Sequence, residues 1–129
     1  MVKTDLTRDM IDAGRRLLER LDRTRFRVRA CFWFYFPDSD RWRLVVASPE
    51  VRSRGPHAAY LKIQTAVHSL PETVGFFGPS DVKALKDTDP LIKLLRKAIS
   101  TGPGICGIRF TSNSVNGTFI DDAYVYRLT

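Results

Sequence analysis

The clearest alternation of apolar and polar positions in the chain runs through residues 26–36. Even positions in this stretch are apolar, whereas odd positions mix arginine with cysteine and large aromatic rings. The even set is Phe26, Val28, Ala30, Phe32, Phe34 and Phe36, and the odd set is Arg27, Arg29, Cys31, Trp33 and Tyr35. Because successive side chains of a strand point to opposite faces, the pattern predicts one core face and one arginine–aromatic face.

The segment PDSDR next predicts a hairpin loop, followed by a second strand, WRLVV. We expect Phe36 to pair with Trp42 across a five-residue loop, because this register collects the most apolar set on the phenylalanine face. Trp42, Leu44 and Val46 then join that face, and Arg43 joins the arginine–aromatic face. A slip of one residue would reverse the assignment.

The C-terminal segment predicts a second hairpin, turning at residues 116–117, Asn-Gly. This dipeptide favours the two-residue type I′ turn. Pairing Val115 with Thr118 across the turn places Arg109 opposite Tyr124. The second hairpin therefore has a core face and an arginine–aromatic face of its own, the latter carrying Arg109, Tyr124 and Tyr126.

Apolar residues at helical spacing predict three helices. The first covers residues 4–21, the second residues 57–70, and the third begins at the Asp-Pro pair of residues 89–90. A short strand is expected at residues 82–86. The order α-β-β-α-(β)-α-β-β predicts a single α+β domain over residues 1–129, with an antiparallel sheet of about four to five strands and its helices packed on one face.

Composition fits one globular domain, and its basic charge raises the chance of an anionic partner without deciding it. The 129 residues are 43% hydrophobic, and the net charge of +7 comes from 21 basic and 14 acidic residues. Seven arginines fall between Arg15 and Arg29. Such a run is typical of a solvated helix face, and it is also the pattern of an anion-binding stripe.

Neither metal chemistry nor a membrane is indicated. Cys31 and Cys106 lie in apolar strand patterns and lack the spacing of a metal site or redox pair. We therefore expect no metal and no cofactor. The first ten residues lack the apolar region of a signal peptide, and no stretch approaches the length of a membrane span. A cytoplasmic protein is the expectation.

The two arginine–aromatic faces form the candidate binding face. It comprises Arg27, Arg29, Trp33, Tyr35, Arg43, Arg109, Tyr124 and Tyr126. These residue types dominate protein interfaces, and a self-complementary sheet face would give a two-fold dimer. The first hypothesis is a non-enzymatic binding or assembly module for a protein partner or a second copy. The alternative is single-stranded nucleic acid, whose bases stack on aromatic rings while arginines follow the phosphates.

Two further interpretations remain. Residues 71–81, which include two consecutive phenylalanines, could fold over the arginine–aromatic face and make it a second core layer. A small enzyme could instead use an acidic site near Asp121 and Asp122, helped by Arg109 or Ser114. As neighbours on a strand, the two aspartates are expected to point to opposite faces and not to share a site without a bulge. The chain carries no recognisable nucleophile motif.

Overall fold

The computed structural model describes residues 3–129 and contains one five-stranded sheet with strand order β3-β2-β1-β5-β4. The first ten residues, in which no signal peptide is expected, include residues 1 and 2, and these two lie outside the described range. The strands are β1 Ala30–Phe36, β2 Arg41–Ser48, β3 Val82–Lys86, β4 Ile108–Val115 and β5 Thr118–Leu128. The helices are α1 Arg8–Asp22, α2 Pro49–Arg54, α3 Pro56–His68 and α4 Pro90–Arg96.

The sheet is mixed, and the predicted α+β class is confirmed. β1 pairs antiparallel with β2 and β5, and β4 pairs antiparallel with β5. β3 has the bounds predicted from the sequence, but it runs parallel to β2. The prediction of a wholly antiparallel sheet is therefore wrong at this pair. A parallel neighbour needs a long crossover connection, and α2 with α3 provides it. α2 was not predicted.

The register of the first hairpin is shifted by one residue from the predicted pairing of Phe36 with Trp42, so that prediction is wrong. Tyr35 lies opposite Trp42, and Phe36 lies opposite Arg41. The loop has four residues, ending at Asp40 in the left-handed conformation with φ 49°. Trp42 consequently shares the face of Trp33, while Arg43 lies on the phenylalanine face. The shifted register exposes none of the large apolar side chains to solvent, because both faces of this hairpin are covered in the folded protein.

Helices cover both faces of the sheet, so the prediction that they pack on one face is wrong. On one side α1 and α3 cover the aromatic face of β1, and the main buried residues there are Leu17, Leu18, Trp33, Tyr35, Leu44, Ile63, Val67, Phe77 and Tyr126. On the other side α4 covers the phenylalanine face, with Phe32, Phe34, Val45, Ile92, Leu95, Ala123 and Val125 buried. β1 is consequently buried on both sides along nearly its whole length.

α1 begins later than predicted. Thr7 is its N-cap, and the Thr7 side chain accepts a hydrogen bond from the Met10 amide. A side-chain oxygen at this position satisfies an amide that has no partner within the helix. Residues 3–6 therefore precede the helix, and we call this stretch the N-terminal arm. No helix within residues 3–129 combines the length and apolar character needed to cross a membrane.

The second hairpin has the predicted register. Val115 lies opposite Thr118, and Arg109 lies opposite Tyr124. Both turn residues have positive φ, 49° at position 116 and 82° at position 117, as a type I′ turn requires. The hairpin places β4 at the outer edge of the sheet.

Candidate functional site

Three of the eight predicted binding residues lie in the core. Trp33, Tyr35 and Tyr126 are buried beneath α1 and α3. The ring of Phe77 stacks on Trp33, with centroids 5.7 Å apart. The predicted exposure of this face is therefore wrong, and the interpretation in which residues 71–81 help to cover it is confirmed. Burial of a large aromatic ring stabilises the folded protein relative to leaving the ring exposed to water.

Of three more predicted residues, Arg109 and Tyr124 lie opposite each other on β4 and β5, whereas Arg43 lies apart from them. Tyr124 is half-buried against Tyr126, with ring centroids 5.3 Å apart. The Arg109 guanidinium is paired with Asp122. Arg43 lies on the opposite side of the sheet, 5.6 Å from the centre of the Phe36 ring. Arg43 is separated from the five other predicted binding residues described so far because the register of the first hairpin places it on the phenylalanine face.

Arg27 and Arg29 remain on the surface. They belong to the segment between α1 and β1, in which exposed arginines alternate with buried Phe26 and Val28. The alternation predicted for this stretch is confirmed, since the apolar side chains point inward and the arginines outward. Arg25 continues the exposed series toward α1.

Two grooves flank this segment, and basic side chains line both. The first has a volume of about 260 Å³ and the second about 390 Å³. Thr24 and Phe26 contribute to the walls of both grooves. The basic residues of the first groove are Arg20, Arg25 and Lys62, and those of the second are Arg27, Arg29 and Arg127.

The cations of the two grooves divide into paired and unpaired groups. Arg127 donates to both carboxylate oxygens of Asp22, at 2.9 and 2.8 Å, and to the Val28 carbonyl. Lys62 is paired with Glu50 at 3.2 Å. These two side chains therefore brace the walls of the grooves, because their charges are already matched by nearby carboxylates.

The remaining arginines make no ion pair with any other residue in the range 3–129. They are Arg20, Arg25, Arg27 and Arg29. Arg23, which lines neither groove, lies between Arg20 and Arg25 in the sequence and is also unpaired, and all five side chains are exposed. We call these five residues the arginine surface. Each guanidinium offers a planar set of donors that fits a phosphate or carboxylate. The arginine surface therefore presents unpaired guanidinium donors to solvent, and only Arg27 and Arg29 of it belonged to the predicted binding face.

The described part of the chain offers little else for catalysis. Residues 3–129 contain no group of three or more His, Cys, Asp or Glu side chains arranged to hold a metal ion. Burial raises the pKa of Cys31 to about 12. This cysteine is therefore a protonated thiol at neutral pH, whereas a nucleophile has to be a thiolate.

Asp121 and Asp122 meet at one ammonium group, contrary to the expectation that they would point apart. Lys3 Nζ lies 2.8 Å from Asp121 Oδ1 and 2.7 Å from Asp122 Oδ2. The hairpin is irregular at this point: Ser112 has φ 46°, and the pairing of the ladder passes over Ser112 and Asp121. The regular alternation from which the expectation was derived does not hold there.

Asp122 is a poor candidate for a catalytic acid. Arg109 donates to its two carboxylate oxygens at 2.6 and 2.7 Å, and Lys3 donates as well. Burial alone would raise its pKa, but these hydrogen bonds hold the pKa of Asp122 below the ordinary value. The carboxylate is therefore ionised at neutral pH and has no proton to transfer.

The N-terminal arm closes this end of the sheet, and no pattern of residues along the chain predicts this contact. The Thr4 amide and hydroxyl donate to Asp40 at 3.0 and 2.9 Å, while Trp42 Nε1 donates to the Thr4 carbonyl at 2.8 Å. Tyr35 also donates to Asp40, at 2.6 Å, and this hydrogen bond raises the pKa of Tyr35 to about 12. The arm brings Lys3 next to aspartates more than 100 residues away along the chain.

Comparison of the chain with models of known protein families, with curated protein sequences and with solved structures finds no match. The functional assignment consequently rests on the geometry and chemistry of the described residues. Those residues form two polar regions at opposite ends of β1, namely the arginine surface and the cluster around Lys3.

Proposed function

We propose that this protein is a non-enzymatic binding module whose arginine surface binds the phosphate backbone of single-stranded nucleic acid. The observation that carries the proposal is a set of five exposed arginines without ion-pair partners in residues 3–129, four of which line two adjacent grooves. Arg127, in contrast, is matched by Asp22.

The burial of the aromatic rings removes both the ring hot spots of a protein interface and the rings on which bases would stack, and leaves the arginines to contact phosphate. Interface hot spots are enriched in Trp, Tyr and Arg, clustered in the centre of the contact. Here the arginine surface lacks exposed large rings, since Trp33 and Tyr126 are in the core. Contacts to phosphate need only the guanidinium groups. Two concave grooves around a ridge also suit a flexible strand, which can follow the surface, better than a rigid duplex.

We expect the double variant Arg27→Gln/Arg29→Gln to bind a mixed-sequence single-stranded oligonucleotide about tenfold more weakly than the wild type near 0.1 M salt. The loss of two phosphate contacts should also lower the slope of log affinity against log salt by about 1.4, from about 0.7 per contact on single strands. Fluorescence anisotropy with a labelled oligonucleotide at three salt concentrations measures both quantities.

The matched control is Lys93→Gln/Lys97→Gln, which removes the same charge from exposed positions in and just after α4. This control should retain nearly all of the affinity and the salt slope. Equal weakening by the two double variants would show that net charge alone drives binding, and would refute a site at Arg27 and Arg29. A wild type that binds the corresponding duplex as tightly would refute the preference for single strands.

Protein association is the second candidate function, and the edge strand β4 favours it. Within residues 3–129, β4 pairs only with β5, so its outer edge is available for a further strand. Ile108 on β4 and Phe119 on β5 are exposed, Phe119 at 60%. An exposed strand with apolar neighbours can pair with a strand of a partner or of a second copy.

For this second candidate we expect the wild type to sediment as a dimer at tens of micromolar, and Ile108→Lys to sediment as a monomer. A lysine on an edge strand opposes pairing because its charge would be buried between two strands. Sedimentation velocity measures the change. Leu61→Lys, at an exposed apolar residue of α3, is the control and should leave the dimer intact. A wild type that stays monomeric would exclude self-association through β4.

A further inference from the structure

The ammonium group of Lys3 lies in a cage of two carboxylates and two aromatic rings. Lys3 Nζ is 4.6 Å from the centre of the Tyr35 ring and 5.5 Å from the centre of the Trp42 ring. The carboxylates of Asp121 and Asp122 approach it within 2.8 and 2.7 Å. Ring faces attract a cation through their quadrupole. The rings and the acids therefore contribute two independent interactions to one position.

The charges around this position do not balance without Lys3. Arg109 pairs with Asp122, whereas Asp121 has Lys3 as its one ion-pair partner among the residues from 3 onward. Asp40, nearby, is held ionised, since hydrogen bonds from Thr4 and Tyr35 lower its pKa. Removing the Lys3 ammonium would leave local negative charge beside two ring faces, in a protein whose net charge is +7.

We propose that this cage, formed by Tyr35, Trp42, Asp121 and Asp122, is a binding site for the lysine side chain of a partner peptide, and that Lys3 occupies it in cis. A partner lysine takes the same position when the N-terminal arm leaves. The arm thus acts as a built-in competitor of the partner.

The chemistry of the cage selects a primary ammonium. A lysine ammonium is a compact charge with three donors, which suits two carboxylates and the rings above them. A calcium or magnesium ion needs six or more oxygen ligands, and two of the four walls here are aromatic. The planar guanidinium position is already filled, since Arg109 lies 5.5 Å from the Trp42 ring and binds Asp122.

Competition in cis determines how the site has to be measured. A side chain tethered next to its own site has an effective concentration in the millimolar range. The variant Lys3→Ala removes the competitor and leaves the hydrogen bonds between Thr4, Asp40 and Trp42 in place. The site should therefore be measurable in Lys3→Ala with the arm still bound.

The experiment titrates Nα-acetyl-lysine N-methylamide into Lys3→Ala and follows the indole N–H resonances by NMR. The chain has two tryptophans, and Trp33, buried at 1% exposure, serves as the internal reference for folding. We expect a saturable shift of the Trp42 resonance alone, with a dissociation constant of the order of millimolar. The wild type should bind the probe about twofold more weakly, because Lys3 competes at an effective concentration similar to the dissociation constant.

Two controls separate this site from general charge attraction. The norleucine analogue of the probe, which has the same chain without the ammonium, should produce no saturable shift. Lys3→Ala/Asp121→Asn, changing a 30% exposed carboxylate, should weaken binding of the lysine probe at least fivefold. In parallel, the probe should raise the melting temperature of Lys3→Ala more than that of the wild type at the same concentration.

Each opposite result overturns the proposal. The cage is not a lysine site if Lys3→Ala shows no saturable Trp42 shift up to roughly 50 mM probe, well beyond the affinity expected. It is equally excluded if the norleucine analogue binds as well as the lysine probe. If Lys3→Ala fails to fold, the wild type tests the proposal instead, since the probe must then shift its Trp42 resonance with an apparent dissociation constant roughly twofold higher.

Discussion

Replacing Trp33 by alanine is expected to lower the free energy of unfolding by about 3–5 kcal/mol, the usual cost of removing a large aromatic ring from a core. The Trp33 side chain is 1% exposed and stacks on Phe77. Its indole N–H donates to the Met10 carbonyl at 3.2 Å and to the Tyr126 hydroxyl at 3.1 Å. The substitution would leave a cavity and remove both hydrogen bonds. Urea denaturation followed by circular dichroism measures the loss.

Phe119→Ala is the matched control, because Phe119 is an aromatic residue of the same sheet that is 60% exposed. A surface substitution of this kind should change stability by less than about 0.5 kcal/mol. If Trp33→Ala destabilised the protein no more than Phe119→Ala does, Trp33 would have to be a surface residue. The original hypothesis of an exposed arginine–aromatic binding face would then regain its basis.

The second hairpin shows what local sequence can determine. An Asn-Gly turn requires positive φ at both residues and joins strands with a fixed register. The pairing of Val115 with Thr118 and all the pairs beyond it followed from that one turn. α4 was predictable for a similar reason, since Asp89 caps the helix and Pro90 suits its first position.

The first hairpin shows where local sequence fails. Either register places apolar residues on a buried face, because the sheet is covered on both sides. The number of helices on each face is a property of the whole fold and is absent from the strand pattern. Since antiparallel sheets often expose one face, the strand pattern alone predicts that the mixed face is exposed to solvent. In the folded protein that face carries the larger core.

Only the part of the candidate site that follows from the alternation of apolar and polar residues along the chain was predicted correctly. Arg27 and Arg29 are exposed as expected because they lie in a segment whose apolar side chains, Phe26 and Val28, point into the core. The rings of Trp33 and Tyr35 continue the same alternation, yet α1 and α3 cover them. The exposed arginines precede β1, and the covered rings lie within it.

The cage around Lys3 depends entirely on tertiary structure. Lys3 and Asp121 are separated by 118 residues, and no spacing in the sequence connects them. The cage forms because the hairpin loop of β1 and β2 carries Asp40 to the same end of the sheet as Asp121. Two regions of opposite charge character thus lie about 20 Å apart, given six residues of strand between Arg29 and Tyr35.

Gly14 in α1 is the position where a single added methyl group should cost most. The helix passes so close to the sheet here that a Cβ would collide with the Tyr126 hydroxyl and lie 2.9 Å from Trp33 Nε1. That hydroxyl also donates to the Ile11 carbonyl. Alanine is favoured over glycine inside a helix by about 1 kcal/mol. Propensity alone therefore predicts that Gly14→Ala stabilises the protein.

We expect instead that Gly14→Ala destabilises the protein and lowers the free energy of unfolding by about 2–4 kcal/mol. Overpacking costs about 1–3 kcal/mol, and displacement of Tyr126 would break buried hydrogen bonds worth about 1–3 kcal/mol. Denaturation of Gly14→Ala, alone and in a Tyr126→Phe background, shows whether the collision with the Tyr126 hydroxyl causes the loss of stability. Without the hydroxyl, the penalty of the added methyl group should fall by about 1 kcal/mol or more.

Gly75→Ala is the control for the Gly14 substitution, because a Cβ at Gly75 meets no atom within 4 Å. It should change stability by no more than about 0.5 kcal/mol. A stabilising Gly14→Ala would mean that α1 lies farther from Tyr126 than described. The aromatic face would then be less tightly covered, and the burial that directs binding to the arginine surface would lose its main support.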